Sequence, residues 1–349
     1  MRLLWSILLV LIFVPQWMGE PQLPLLGTDR RIESVPAALN PADPAQRRVG
    51  DLLWLGGIEL RGHGEAFGGF SSLHIDHGRF TLLSDGGNIV SFRLGRGNAV
   101  EQVRFTELPG GPGTGWAKYD RDSESMTVDP RTGRIWVGFE RANEIWRYAP
   151  GFAHAEAQTA PPAMVDWPVN TGAESMTLLP GGGMLVIEEH GEKKKKDAPR
   201  EALFFAGDPT QQPRHGFRFS FAAPAGYDPS DMTVLPDGRL LILTRRFALP
   251  FTWSNKLVLV DRAAIRPGAV VRGREIATLA APLIHDNFEG VAVTREKGAT
   301  IIWLVSDDNQ LFLQRSYLLK FRLDPLPPAR HAPRPNANSP RPRGGNAGR

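Results

Sequence analysis

Five segments of this chain carry one pattern at nearly even intervals, and that self-similarity limits the fold more than any other feature. They are "SSLHIDHGRFTLLSD" from Ser71, "ESMTVDPRTGRIWVGFE" from Glu124, "ESMTLLPGGGMLVIEE" from Glu174, "SDMTVLPDGRLLILTRR" from Ser230 and "EGVAVTREKGATIIWLVSDD" from Glu289. Successive starts lie 53, 50, 56 and 59 residues apart, a period that means one supersecondary unit plus its loops. Each segment reads as a hairpin. Its first strand alternates, as in Met126 and Val128 or Met232 and Val234. A turn such as "DPRTG", "PGGG" or "PDG" follows, using residues that turns favour for their backbone angles. The second strand is almost continuously apolar ("IWVGF", "MLVI", "LLIL", "IIWLV"), which means burial on both faces.

Third strands are expected at "NIVSFRL", "NEIWRY", "EALFF", "KLVLVD" and "YLLKFRL", and fourth strands at "EQVRFTEL", "MVDWPV", "GFRFSF" and "REIATL". The fifth repeat lacks a fourth strand, and the N-terminal "DLLWLGGIEL" (51–60) lacks a partner. The two needs meet if the N-terminal strand completes the last unit. The expected fold is therefore all-β, a β-propeller of five visible blades closed by an N-terminal strand. A sixth, degenerate blade built on "RRIESVPAAL" is left open, and an open sandwich gives no reason for the even spacing.

In a hairpin, the start of the first strand neighbours the end of the second. In a propeller those ends converge on one face, so acids at both positions build a carboxylate ring at one mouth of the channel. The expected ring contains Glu124 with Glu140, Glu174 with Glu188 and Glu189, and Glu289 with Asp307 and Asp308, joined by Asp85 and Asp231. Oxygen-only donors without cysteine select a hard cation, Ca²⁺ ahead of Mg²⁺. The metal-ligand candidates are Glu124, Glu174, Glu189, Glu289, Asp307 and Asp308, with Asn287 and Asn309 as neutral oxygen donors. The competing reading is that the acids serve strand-end hydrogen bonds or pair with Arg141, Arg245 or Arg246. Catalytic candidates are Glu174, with Arg245 and Arg246 to hold an anionic group and His190 as a base. Ser125 and Ser175 have no histidine beside them and read as strand-end hydroxyls.

Cysteine is absent from the 349 residues, which excludes disulfides, thiolate chemistry and Cys-type zinc. The stretch "MRLLWSILLVLIFVPQWMGE" has an apolar run from Leu3 to Val14. It is too short for an ordinary span and suits a signal-peptide core, although Trp17 stands where a small residue is expected. An uncleaved anchor or a buried strand are the alternatives. The expected organisation is a signal peptide over 1–19, an N-terminal segment over 20–50, the propeller over 51–324 and a basic Pro/Arg-rich disordered tail over 325–349. That arrangement implies a periplasmic or secreted protein with no stable membrane span after cleavage. The run Lys193–Lys196 reads as a solvated loop. No basic face with stacking aromatics on a recognisable module is visible, so nucleic acid is not an expected partner.

These motifs resemble the phytase-like family described as "esterase-like activity of phytase", exported β-propeller proteins of bacteria. The resemblance covers roughly residues 50–323 and is carried by "GGFSSLHID", "SDGGNIVSF", "ESMTVDP", "NTGAESMTLLP", "PDGRLLILTRRF", "NFEGVAV" and above all "SDDNQLFLQRSYLLKFRL". It implies hydrolysis of phosphate or carboxylic esters, with a small anionic ester as the substrate or ligand. Asp85, Glu124, Glu174, Glu189, Glu289, Asp307, Asp308 and Asn309 match positions typical of the family. One departure is "LTRRF", where Thr244 stands in place of an acid. A non-catalytic propeller binding a ligand or protein, with a structural metal, is the second reading.

Overall fold

The computed structural model describes residues 22–327 except 24, 170–171, 191–196, 250–251 and 312. The expected signal peptide, the lysine run and most of the basic tail lie outside the described residues. Among those described there are strands and short 3₁₀ turns and no α-helix. Among the described residues no helix is long and apolar enough to cross a membrane.

The strands form five sheets. The first blade runs from its inner strand Phe70–Asp76 through Arg79–Ser84 and Asn88–Leu94 to Val100–Glu107. The second, third and fourth blades start with Ser123–Val128, Ala173–Leu178 and Asp228–Val234. The fifth starts with Asn287–Glu296. Each of these inner strands packs on the next in a closed circuit, the fifth returning to the first. The ring therefore has five blades.

Closure follows the expected route. Leu52–Gly62 lies antiparallel to Ser316–Leu323, with Tyr317 opposite Glu59 and Leu323 opposite Leu52. The segment weighed as a sixth blade instead adds Ile32–Pro36 outside that strand, in register Ile32 to Gly62. One strand departs from expectation. The fourth strand of the second blade is Ala155–Thr159, paired with Glu144–Tyr148. Residues of "MVDWPV" form a turn and loop, with Met164 and Trp167 buried as a plug against Trp136 and Met176. Their apolar content comes from that plugging, which local pattern does not separate from a strand.

The inner strands share a second feature. In every blade the pairing of first and second strands slips by one residue: between Phe70 and Ser72, Ser123 and Ser125, Ala173 and Ser175, Pro229 and Asp231, and Phe288 and Gly290. The extra residues are Ser71, Glu124, Glu174, Ser230 and Glu289. Such a bulge leaves one residue unpaired and re-aims its side chain. The two serines are used between blades, Ser71 Oγ donating to Ser123 O at 2.6 Å and Ser230 Oγ to Phe288 O at 3.1 Å. The three glutamates are left for the channel.

Ring closure concentrates apolar contact where the N-terminal strand meets the last blade. Phe321 is fully buried and meets Trp54 edge-on at 5.1 Å between ring centroids. Phe321→Ala should cost about 3–5 kcal/mol, read as a lower urea midpoint at unchanged slope. A midpoint within error of the parent would mean that this seam does not hold the ring.

Candidate functional site: the acidic mouth

Three of the bulge residues bring carboxylates to one end of the channel, and the ends of the second strands bring more. Ligand oxygens of Asp122, Glu124 and Glu140 lie within 4.8 Å of one another, and so do those of Glu140, Glu174 and Glu189. The two groups share Glu140. Glu174 is 3% exposed. Among the described residues its carboxylate accepts no hydrogen bond, and its nearest cation is Arg245 Nη2 at 4.0 Å.

Arg245 is the centre of the other half. Its Nη2 donates to Glu189 Oε1 at 2.9 Å, and its Nη1 contacts Glu289 Oε1 and donates to Asn287 Oδ1 at 3.1 Å. Asn287 Nδ2 in turn donates to Glu289 Oε1 at 2.7 Å and to Asp307 Oδ2 at 3.4 Å. A third sector holds Asp85 and Asp308. Lys118 Nζ lies 2.5 Å from Asp85 Oδ2, while Asp308 accepts from Gly69 N at 3.0 Å and from Ser316 Oγ at 2.7 Å. Gly68 and Gly69 are needed here. A Cβ at Gly68 would lie 2.6 Å from Asp308 Oδ1, and one at Gly69 2.8 Å from Asp85 Oδ1.

The structure thus places Glu124, Glu174 and Glu189 in the two oxygen clusters. Glu289, Asp307 and Asp308 lie outside those clusters, committed to Arg245, Asn287 and backbone N–H groups. Asn309 closes a turn, its N–H on Asp307 Oδ1 at 2.6 Å. Asp231 does not join the mouth. It is buried between blades, accepting from Met232 N at 2.8 Å and Val291 N at 2.7 Å. Glu188 points away, accepting from Glu201 N at 2.9 Å.

The two arginines separate because strand neighbours face opposite ways. Arg245 enters the mouth; Arg246 is exposed over the Tyr227 ring at 4.9 Å. His190 sits at the rim, half exposed, with Nδ1 2.6 Å from Glu189 Oε2 and Nε2 3.6 Å from Asp228 Oδ2. Ser125 Oγ donates to Ala173 O at 2.6 Å, and Ser175 is fully buried. Sequence reasoning did not pick out Asp122 or Lys118. Asp122 stands two residues ahead of Glu124 and was visible as an extra acid at a strand start, whereas Lys118 sits on a connecting loop with no periodic signal.

Residues 65–310 match the family described as phytase-like, esterase-like activity of phytase. The chain belongs to this family. No curated protein matches it. Among solved structures, an endo-arabinase from Bacteroides thetaiotaomicron is 10% identical over 73% of this chain and 94% of its own, with a TM-score of 0.47. The Malassezia sympodialis allergen Mala s 1 is 15% identical over 83% and 95%, with a TM-score of 0.41. A nidogen/laminin complex gives 9% over 77% and 94%, also at 0.41. These likenesses are too distant to speak to function.

Burial and mutual repulsion decide the protonation of the phytase-like mouth. Burial, then the neighbouring Glu124 and Asp122 charges, pushes Glu140 up to about 9. Burial and Asp85 push Asp307 up to about 8. Glu124 and Glu174 are raised well above the ordinary carboxylate range, by burial first and then by other glutamates. Glu189 goes the other way. Burial opposes its charge, but Arg245 and the His190 bond outweigh that and hold it low. The same bond to Glu189 raises His190.

A carboxyl with a raised folded pKa binds its proton more tightly folded than unfolded, so its stabilising effect is complete below its ordinary pKa and fades as pH rises. For Glu140 that window runs from 4.5 to about 9, and Asp307 adds to the same trend from 3.8 to about 8. Chelator-treated protein should therefore lose unfolding temperature steadily from pH 5 to pH 9. A flat or rising profile over that interval would contradict the clustering of these acids.

Proposed function

We propose that this phytase-like propeller is an exported, metal-dependent hydrolase of phosphate or carboxylic esters working at the acidic mouth. The observation that carries the reading is the pair of oxygen clusters sharing Glu140, with Glu174 buried in it and accepting no hydrogen bond from described residues. Side-chain carboxylates held at that separation, without sulfur and without an imidazole among them, suit Ca²⁺. Glu124, Glu140, Glu174 and Glu189, with Asp122, would hold the ion. Glu189 has one oxygen on Arg245 and the other on His190, and each carboxylate oxygen keeps a second lone pair for a ligand. A bound Ca²⁺ would supply Lewis-acid polarisation of the ester oxygen.

The chain's own groups divide the remaining work. Arg245 keeps Glu189 ionised and holds Glu289 in place, which pre-orients one wall of the site. Glu189 fixes the His190 ring through Nδ1, so that Nε2, at the rim, is the nitrogen placed to take a proton from water or return one to a leaving alcohol. Arg246, lying over Tyr227, has no part in this scheme.

A second reading has its own support. Arg245 and Lys118 already neutralise several acids, as in a structural network, and a propeller mouth can serve a binding protein equally well. Turnover separates the two. A panel of phosphomonoesters, phytate, aryl acetates and lactones should contain at least one Ca²⁺-dependent substrate. Glu174→Gln should lower its kcat by roughly 10²-fold or more while leaving the fold unchanged by circular dichroism, a loss of the size seen when one preorganised electrostatic group is removed. Unaltered kcat in that variant would remove Glu174 from the chemistry, and a wholly inactive panel would favour the binding reading.

A further inference from the structure

Of the cations in the mouth, Lys118 stands apart. Arg245 has both terminal nitrogens engaged by Glu189, Glu289 and Asn287, and Arg246 is outside. Among the described residues Lys118 has Asp85 as its one ion-pair partner, and its side chain is 27% exposed. An ammonium has three donors, so two remain for a ligand.

The segment that carries Lys118 is tightly built. The Asp120 carboxylate accepts from Thr114 N at 3.1 Å, Thr114 Oγ1 at 2.7 Å and Gly115 N at 2.9 Å, and the Arg121 guanidinium bonds to Pro112 O. The N-terminal stretch braces it from outside, Gln22 bridging to Ala117 and Leu23 N donating to Trp116 O at 3.0 Å. Along this arm the sequence sets Lys118 between two aromatic residues. Trp116 is 78% exposed and Tyr119 40% exposed, the latter with the Arg141 guanidinium 4.3 Å from its ring centroid. Large exposed aromatics beside a polar cleft mark a surface that binds the apolar part of a ligand.

We propose that this arm, residues 112–121, is the recognition element of the mouth. It takes a compound with one anionic group on an aromatic or alkyl body, the anion on Lys118 Nζ and the body against Trp116 and Tyr119. That the compound is an ester substrate rests on the hydrolase reading; the binding site does not. A heavily phosphorylated ligand fits less well, because its further phosphates would meet Glu124 and Asp307, whose charges Lys118 already feels, and Arg245 is spent on carboxylates.

Titration calorimetry with phenylphosphonate, a non-hydrolysable probe of this chemistry, tests the arm on the full chain with and without Ca²⁺. The expected result is saturable binding that is weaker for methylphosphonate. Lys118→Met should weaken phenylphosphonate binding by on the order of 10-fold or more, as for a lost charged hydrogen bond, with Lys118→Arg restoring most of it. Trp116→Ala should cost roughly 3- to 10-fold. Absence of phenylphosphonate binding in both conditions would overturn the proposal. So would equal affinity for the two phosphonates, or unchanged affinity in Lys118→Met and Trp116→Ala. Phosphonate binding that depends on Lys118 in a protein that hydrolyses nothing would sink the hydrolase reading and keep the arm. Ester turnover with an unchanged KM in Lys118→Met would do the reverse.

Discussion

Arg245 lies among Glu174, Glu189, Glu289 and Asn287 in a site almost closed to water, and the mouth of the propeller depends on that contact. Each uncompensated buried charge costs several kcal/mol, so five inner strands could not each deliver an acid to one narrow opening. Three do, and a guanidinium from the fourth blade stands where that blade would have brought a further acid. The remaining carboxyls settle the account by holding protons, which is why Glu140 and Asp307 are pushed so far up while Glu189, next to the guanidinium, is held low.

The device that aims the charges is the extra residue in each inner strand. In a regular strand, residues alternate between faces, and one inserted residue breaks that alternation at the point of insertion. In the first and fourth blades the inserted residue is a serine that ties its blade to the next. In the other three it is glutamate, and the bond to the neighbour passes to other groups, as from Ser125 Oγ to Ala173 O. Adjacent positions thus serve two ends, seam and site, and the repeated Glu-Ser pair reflects that division.

Much of this was legible in the residues. Hairpin periodicity and the missing fourth strand of the last repeat led to the ring, its closure and the convergence of strand-end acids. What the pattern did not carry has physical causes. Glu188 and Glu189 are neighbours at a strand end and face opposite ways, so placing both in the ring counted one acid too many, and Glu188 faces away. Asp231 resembles its ring neighbours in sequence, yet it is one residue past the bulge and bonds to the backbone of the next blade. The pair Arg245 and Arg246 could be assigned to opposite faces only once the strand was placed. Lys118 reaches the mouth from a loop whose shape comes from Asp120 and from the N-terminal stretch, interactions that no local spacing announces. "MVDWPV" shows the converse error, an apolar plug with the composition of a strand.

On the proposed reading, the clustered carboxyls that hold protons in this mouth would give them up to a divalent ion. Calorimetric titration of Ca²⁺ into chelator-treated protein at neutral pH, in two buffers of different ionisation enthalpy, tests this most directly. The account predicts saturable binding with proton release, abolished in the Glu124→Gln/Glu174→Gln double variant. No heat in either buffer, together with no change of unfolding temperature in millimolar Ca²⁺, would contradict it and leave the acidic ring as a hydrogen-bonded frame.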